Sequence, residues 1–333
     1  MVSNFCEIHY VAAMKLVNQS PTKTAYVFSG IDGLDNMQDR LLMLSLPTVQ
    51  KRIAQAQEIL SQLTPHFDLA EYIASPDLFY KKDVTLQALA VAVVQIGVFD
   101  HLISKTGPPE YLIGCSLGDI ARTFCAGALD FEVIVKSSWL YHLKAREIQG
   151  AAYHVKVLEG VVEPAMLKEI SDAGIYLAVF QTPRNFLVSG SVENLEKWHQ
   201  KELEINRYKI KPLYNKPLHS PLMSSVTESI HAHYAGKLKS SDQWKYQMVS
   251  ATNLKVLTSK EELLHDMITN FNSTVYWMQA VQLAVNELAV TRFVNIGPAQ
   301  TLLLFSQRTP LSYPLELVNH FGPPPEPLQS RSR

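Results

Sequence analysis

A chain of 333 residues, 47% of them hydrophobic, has material for one large α/β domain with an insertion, or for two domains. A formal net charge of −1, with no long run of one sign, argues against a nucleic-acid or anionic-membrane surface. Cys6, Cys115 and Cys125 have neither metal-type spacing nor a disulfide framework, so no metal site is expected and the usage fits a reducing cytoplasm. Glu7, His9 and Lys15 interrupt any signal-type apolar core, and no apolar run reads as long enough to cross a bilayer.

In chain order, residues 1–23 read as an N-terminal extension with one short helix at 8–17. A compact apolar strand at 24–28 runs into the turn Ser29-Gly30-Ile31-Asp32-Gly33. Helical patterns follow at 36–44 and from Pro47 to Ile59, and the alanine-rich, apolar 83–102 reads as a buried helix. Residues 111–113 suit the end of a buried strand, and 120–126 a helix. Between them Gly114 and Gly118 bracket Ser116 in a Gly-x-Ser-x-Gly pattern. Strand, tight turn, helix is the setting of a nucleophile elbow. The serine hydroxyl then projects from the turn, and the Leu117 N–H at the helix start suits a developing oxyanion.

Asp130 reads as the N-cap of a helix over 131–148. The pattern then changes to a strand at 153–158, a helix at 163–173, strands at 175–180 and 185–189, a helix at 192–203 and a strand at 205–213. This is the ferredoxin-like order. It reads as a small α+β unit (153–213) inserted into a large α/β-hydrolase-like domain with a parallel sheet (24–152 and 214–320). The large domain resumes with helices at 221–234, 259–270 and 275–287 and strands near 247–250 and 292–296. Residues 321–333, rich in proline and serine, read as a mobile tail.

A serine nucleophile needs a base, and the chain has eleven histidines. His219 stands out by context: Pro217 and Pro221 frame it between a predicted strand and a predicted helix, which holds the ring in one orientation.

These motifs together resemble the malonyl-CoA:acyl carrier protein acyltransferases and the acyltransferase domains of polyketide synthases, over residues 24–305. The family's Phe-Pro-Gly-Gln-Gly stands here as Phe28-Ser29-Gly30-Ile31-Asp32, and its Gly-His-Ser-x-Gly-Glu elbow as Gly114-Cys115-Ser116-Leu117-Gly118-Asp119. Its Ala-Gly-x-x-Asp/Ser-Phe is Ala126 to Phe131, and its Asn-Ser-Pro is Gln181-Thr182-Pro183. Its His-Ser-x-Leu-Met is matched by 219–223, its Pro-Val-x-Trp by Thr274-Val275-Tyr276-Trp277, and its Val-Gly-Pro-Gly by Ile296-Gly297-Pro298-Ala299.

The resemblance implies that Ser116 is acylated by a thioester, that His219 is its base, and that the Asn270 carbonyl orients that histidine. It implies an oxyanion hole of the Leu117 and Ile31 N–H groups. It places Tyr141 where malonyl-specific members carry an arginine, and tyrosine cannot pair with a carboxylate as arginine does. Lys144, a turn further on, is the substitute cation to consider. Cys115, Leu218 and Gln181 fall at positions that border the acyl pocket. The expected substrate is therefore an uncharged, non-malonyl acyl group on the phosphopantetheine arm of an acyl carrier protein or on coenzyme A, with no resident cofactor. The preferred reading is an editing acyl hydrolase serving polyketide synthase modules, monomeric and cytoplasmic. The alternatives are a trans-acting acyltransferase and an inactive scaffold that binds carrier protein.

Overall fold

The computed structural model describes residues 22–75 and 84–322. The helix expected at 8–17 and the tail beyond 322 lie outside the described residues. In chain order the strands are β1 (Lys23–Phe28), β2 (Tyr111–Gly114), β3 (Ala151–Val157), β4 (Tyr176–Thr182), β5 (Asn185–Gly190), β6 (Tyr208–Tyr214), β7 (Gln247–Ser250), β8 (Lys255–Leu257), β9 (Val290–Ile296) and β10 (Glu316–Val318). The helices are α1 (Met37–Leu44), α2 (Pro47–Ser61), α3 (Leu69–Ala74), α4 (Val84–Thr106), α5 (Gly118–Cys125), α6 (Phe131–Ala145), α7 (Pro164–Asp172), α8 (Val192–Ile205), α9 (Ser224–Tyr234), α10 (Lys260–Asn272), α11 (Trp277–Gln282) and α12 (Thr301–Gln307).

The larger sheet has the order β10-β9-β1-β2-β7-β8. All its pairings are parallel except β7 with β8. Strand β1 lies inside it, paired with β2 on one side and β9 on the other. Burial on both faces explains its near-continuous apolar run, Ala25 to Phe28, with no polar alternation. The chain builds outward from β1 to β2 and β7, then returns to add β9 and β10 on the opposite side. Ligand sites in such sheets form beyond the carboxyl ends of strands where the order reverses. The turns after β1, β2 and β9 all open into one cavity there.

The smaller sheet, β4-β5-β3-β6, is antiparallel throughout, and with α7 and α8 it has the ferredoxin-like order. Ala178, Val179 and Leu187 from this sheet join a core cluster with Val27, Ile113 and Trp277 of the larger unit. The backbone is stitched across as well: Phe180 N donates to Val275 O at 2.8 Å, and Val275 N to Ala178 O at 2.9 Å.

Local chemistry explains the helix starts. Asn36 caps α1, accepting from Gln38 N and Asp39 N at 2.8 and 3.2 Å. Proline opens α2, and Ser259 caps α10 by accepting from Glu262 N at 3.1 Å. Asp130 precedes α6 but makes no cap bond; its carboxylate instead accepts from Lys239 Nζ at 2.6 Å. Helix α6 also stops at Ala145, short of the expected 148. The expected helix 275–287 divides into α11 and a π-type turn, Leu283–Glu287. Four short elements, α3, β8, α12 and β10, had no counterpart in the sequence reading.

Helix α4 corrects the expectation about apolar runs. It has 23 residues, with a mean hydropathy of 1.7 over its most apolar window, enough by length and composition to cross a membrane. Yet 78% of that window is buried inside the protein. Gly97 on α4 lets α2 approach, since a Cβ there would stand 2.6 Å from Val49 Cα. Gln95 on the same helix donates to Ser29 O at 2.7 Å and so holds the turn after β1.

A buried ionic cluster fixes α5 against α10. Arg122 Nη2 donates to Asp266 Oδ2 at 2.7 Å, and Nη1 donates to Val249 O at 2.5 Å. Its Nε lies 3.2 Å from Asp119 Oδ1, an ion pair without an aligned hydrogen bond. Asp266 Oδ1 also accepts from Ser250 Oγ and, at 2.8 Å, from Asn253 Nδ2. Two carboxylates share one guanidinium, so burial pushes the Asp119 carboxyl up to about 7. Arg122→Met should destabilise the protein by about 3–5 kcal/mol, because both carboxylates lose their cation. The group's native affinity for protons is raised, so its contribution fades as pH rises. The variant's deficit should therefore shrink as pH falls from 7 toward 4, where protonation removes the unpaired charge. Urea unfolding at both pH values checks this, and a loss below about 1 kcal/mol at pH 7 would show that the cluster acts like a surface pair.

Candidate active site

Ser116 sits between β2 and α5 with φ of 59°, a left-handed conformation that an L-residue adopts only when its surroundings impose it. Both flanking glycines are required by close approach. A Cβ on Gly114 would stand 2.6 Å from Asp119 N, and one on Gly118 would stand 2.7 Å from the Phe28 carbonyl carbon. The turn is therefore wedged between its own helix and strand β1.

His219 lies 103 positions later, on the segment between β6 and α9, and it too has a positive φ, 53°. The Ser116 Oγ and His219 Nε2 atoms are 2.6 Å apart. The other ring nitrogen, Nδ1, is 2.5 Å from the Asn270 carbonyl oxygen. A carbonyl only accepts, so Nδ1 carries the proton and Nε2 accepts from the serine hydroxyl. Asn270 does more than the resemblance implied: its side-chain Nδ2 also donates to Ser116 O at 2.9 Å. One residue thus holds both the elbow and the ring. Burial pushes His219 down to about 4, opposed by its bond to the Asn270 carbonyl. The ring is neutral at pH 7 and ready to take a proton.

The hydroxyl opens into a cavity of about 470 Å³ between the two sheets. Its lining includes Ile31, Cys115, Leu218 and Gln181. Burial holds the Cys115 thiol well above its usual range, so it is uncharged packing beside the nucleophile. The Ile31 and Leu117 N–H groups flank the elbow, and among the described residues neither donates a backbone hydrogen bond. Ile31 lines the cavity, and Leu117 stands at the N-cap of α5 directly after Ser116.

Tyr141 is not where a substrate contact would be. Its ring is 2% exposed, stacks on Phe271 at 5.1 Å between centroids, and does not line the cavity. Lys144 is exposed to solvent on the far side of α6 and does not line it either. The sequence reading missed the residues that do give the cavity its charge: Asp32, Asp35 and Asp39 on one wall, His154 and Lys211 on the other. Asp32 carried a signal, since an acid replaced a glycine of the resembling family. The lysine and histidine carried none, because only the register of β3 with β6 brings them together.

An elbow serine paired with a buried neutral histidine, beside a mostly parallel sheet with a ferredoxin-like insertion, defines an α/β protein whose geometry suits nucleophilic chemistry at serine. The comparisons narrow the class. The acyl transferase domain family matches residues 25–315, and the chain belongs to that family. It is 27% identical over 188 residues to a highly reducing polyketide synthase of Aspergillus carbonarius, covering 54% of this chain and 7% of the synthase. It is 22% identical over 290 residues to the malonyl CoA-acyl carrier protein transacylase of Bacillus subtilis, covering 84% of this chain and 88% of the transacylase. A malonyl-transacylase solved in complex with a type II polyketide-synthase acyl carrier protein superposes with a TM-score of 0.77 at 20% identity, over 90% of this chain and 96% of its own. The chain spans between 7% and 13% of the large synthases it matches.

The neutral histidine gives a pH signature. Acylation of Ser116 should lose rate only as pH falls through about 4, where the ring gains the proton that blocks it. The rate of acyl-enzyme formation measured from pH 3.5 to 8 checks this. An acid limb near the ordinary histidine value would show that a solvated base serves instead.

Proposed function

We propose that the protein takes a non-malonyl acyl group from a phosphopantetheine thioester onto Ser116 and releases it to water, as an editing acyl hydrolase. The observation that carries the reading is the Ser116–His219–Asn270 arrangement beside a mostly apolar cavity. The Ser116 oxygen attacks the thioester carbonyl while His219 Nε2 takes its proton. The Leu117 and Ile31 N–H groups receive the oxyanion. The tetrahedral adduct collapses, the C–S bond breaks, and His219 returns the proton to the leaving thiolate. The same ring then takes a proton from water, which attacks the acyl-serine ester; the bond between Ser116 Oγ and the acyl carbon breaks, His219 returns the proton to Oγ, and the acid is freed. The carrier is an acyl carrier protein or coenzyme A, and its arm is part of the substrate rather than a resident cofactor.

The support for a non-malonyl group is the absence of an arginine from the cavity lining among the described residues, together with the three aspartates there. A buried carboxylate without a bidentate cation is costly to hold. A second reading, transfer of the acyl group to another carrier, is favoured by the malonyl transacylases among the relatives. Both use the same acyl-serine, and the acceptor separates them.

Intact-protein mass spectrometry should show an acyl adduct after incubation with acetyl-pantetheine, absent from Ser116→Ala. His219→Ala should slow its formation by about 10²–10⁴-fold. With labelled acetyl-carrier protein, free acetate marks a hydrolase and label on a second carrier a transferase. A persistent adduct in Ser116→Ala would overturn the nucleophile. Faster loading from malonyl than from acetyl thioesters on the unaltered protein would overturn the non-malonyl reading.

A further inference from the structure

We propose that Asp32 selects the acyl group: it turns away chains that end in a carboxylate and holds chains that carry an amino or hydroxyl hydrogen-bond donor. The inference rests on the acyl-Ser116 reading above and names its substrate class.

Asp32 immediately follows Ile31, whose N–H flanks the elbow, so the same short turn that would hold the oxyanion also carries a carboxylate. Its side chain lines the cavity that Ser116 opens into. The geometry of Gly30 sets how near the two are. A Cβ built there would stand 3.4 Å from Ser116 Cβ and 3.7 Å from Asp32 Oδ1, so nucleophile and carboxylate border a single gap. An acyl chain leaving Ser116 passes that gap within its first few atoms.

The surroundings leave Asp32 with unfilled capacity. The hydroxyl of Thr301, the first residue of α12, and Asp32's own backbone N–H hydrogen-bond its carboxyl group. A carboxylate can accept about four hydrogen bonds, so others remain open. Gln181 Oε1 lines the same cavity and is buried without a donor among the described residues. Asp35 and Asp39 add two more acids to the same wall. The cation across the cavity is Lys211 on β6; His154, adjacent to it in register on β3, is pushed toward neutrality by burial and by Lys211. Tyr214, also on that side, keeps its phenolic proton because burial and the two nearest aspartates push it well up.

The acyl end of the cavity therefore offers acceptors in want of donors. An ammonium or hydroxyl group on the acyl chain supplies what Asp32 and Gln181 lack. A carboxylate there meets like charge in a site where burial already strains the Asp32 carboxyl upward. The resembling family has glycine at this position, so the selecting group is this chain's own.

The test measures acyl-Ser116 formation at pH 7 from acetyl-, β-alanyl-, 3-hydroxybutyryl- and malonyl-pantetheine on the unaltered protein, Asp32→Asn and Asp32→Gly. Rates are expressed relative to acetyl within each protein, which cancels any general loss of activity. The asparagine keeps the shape and removes the charge, and the glycine restores the family residue. Both variants should raise the malonyl ratio by about tenfold or more, the effect of one partly buried charge. The β-alanyl or the 3-hydroxybutyryl ratio should fall by a similar factor, and whichever falls identifies the donor as ammonium or hydroxyl. Ratios unchanged across all three proteins would overturn the role of Asp32 while leaving the acyl-serine intact. Absence of any adduct from all four thioesters on the unaltered protein would overturn the acyl-serine reading itself, and this inference with it.

Discussion

Two hydrogen bonds from Asn270 set the geometry of the site. Its carbonyl fixes which nitrogen of His219 carries the proton, and its side-chain amide holds the carbonyl of Ser116. Neither partner is relaxed, since both Ser116 and His219 have left-handed backbones that cost about 1–3 kcal/mol each unless the surroundings impose them. The surroundings that do so are Gly114 and Gly118, which let the elbow close, and the buried Arg122, which binds the helix after Ser116 to the helix that carries Asn270. Asp266 lies one helical turn before Asn270, so the ion pair and the two hydrogen bonds brace one face of α10. The strain at the site is held by a rigid frame behind it.

That frame was only partly legible in the sequence. The elbow was, because two glycines at fixed spacing between an apolar strand and a helix have few other physical uses. The ferredoxin-like order was also legible, because strand and helix periods alternate cleanly over residues 151–214. Both sheets and the family assignment follow from signals of that kind. Elements of three to seven residues such as β8, β10 and α12 were not legible, since so short a segment shows no period and is held by its neighbours. Asp130 stands at the N-cap of α6 as expected, but its side chain serves a cation 109 residues away, Lys239, which no local pattern could show.

Side-chain direction was the larger gap. Counting residues placed Tyr141 correctly on α6, but not its ring, which turns to stack on Phe271 instead of facing the cavity. At that position the chain offers the cavity no contact. Asn270 was read for its carbonyl alone, and the reach of its amide to Ser116 depends on how α10 docks. The charges of the cavity wall come from three separate parts of the chain, and no spacing rule joins them.

The position of β1 has a consequence for how such a chain comes to exist. The strand pairs with β2, but its other edge waits for β9, and Lys23 faces Val290 in the final register. Helix α4, buried in the finished molecule, is translated long before that strand. Its cover comes mainly from α2, α5 and α6, which are also made before β9, so what the ribosome presents during synthesis is the open parallel edge of β1. Such intermediates are the ones that aggregate or require a chaperone. Fragments cut before residue 290 would keep that edge open, so the end of the chain shields a strand made at its start.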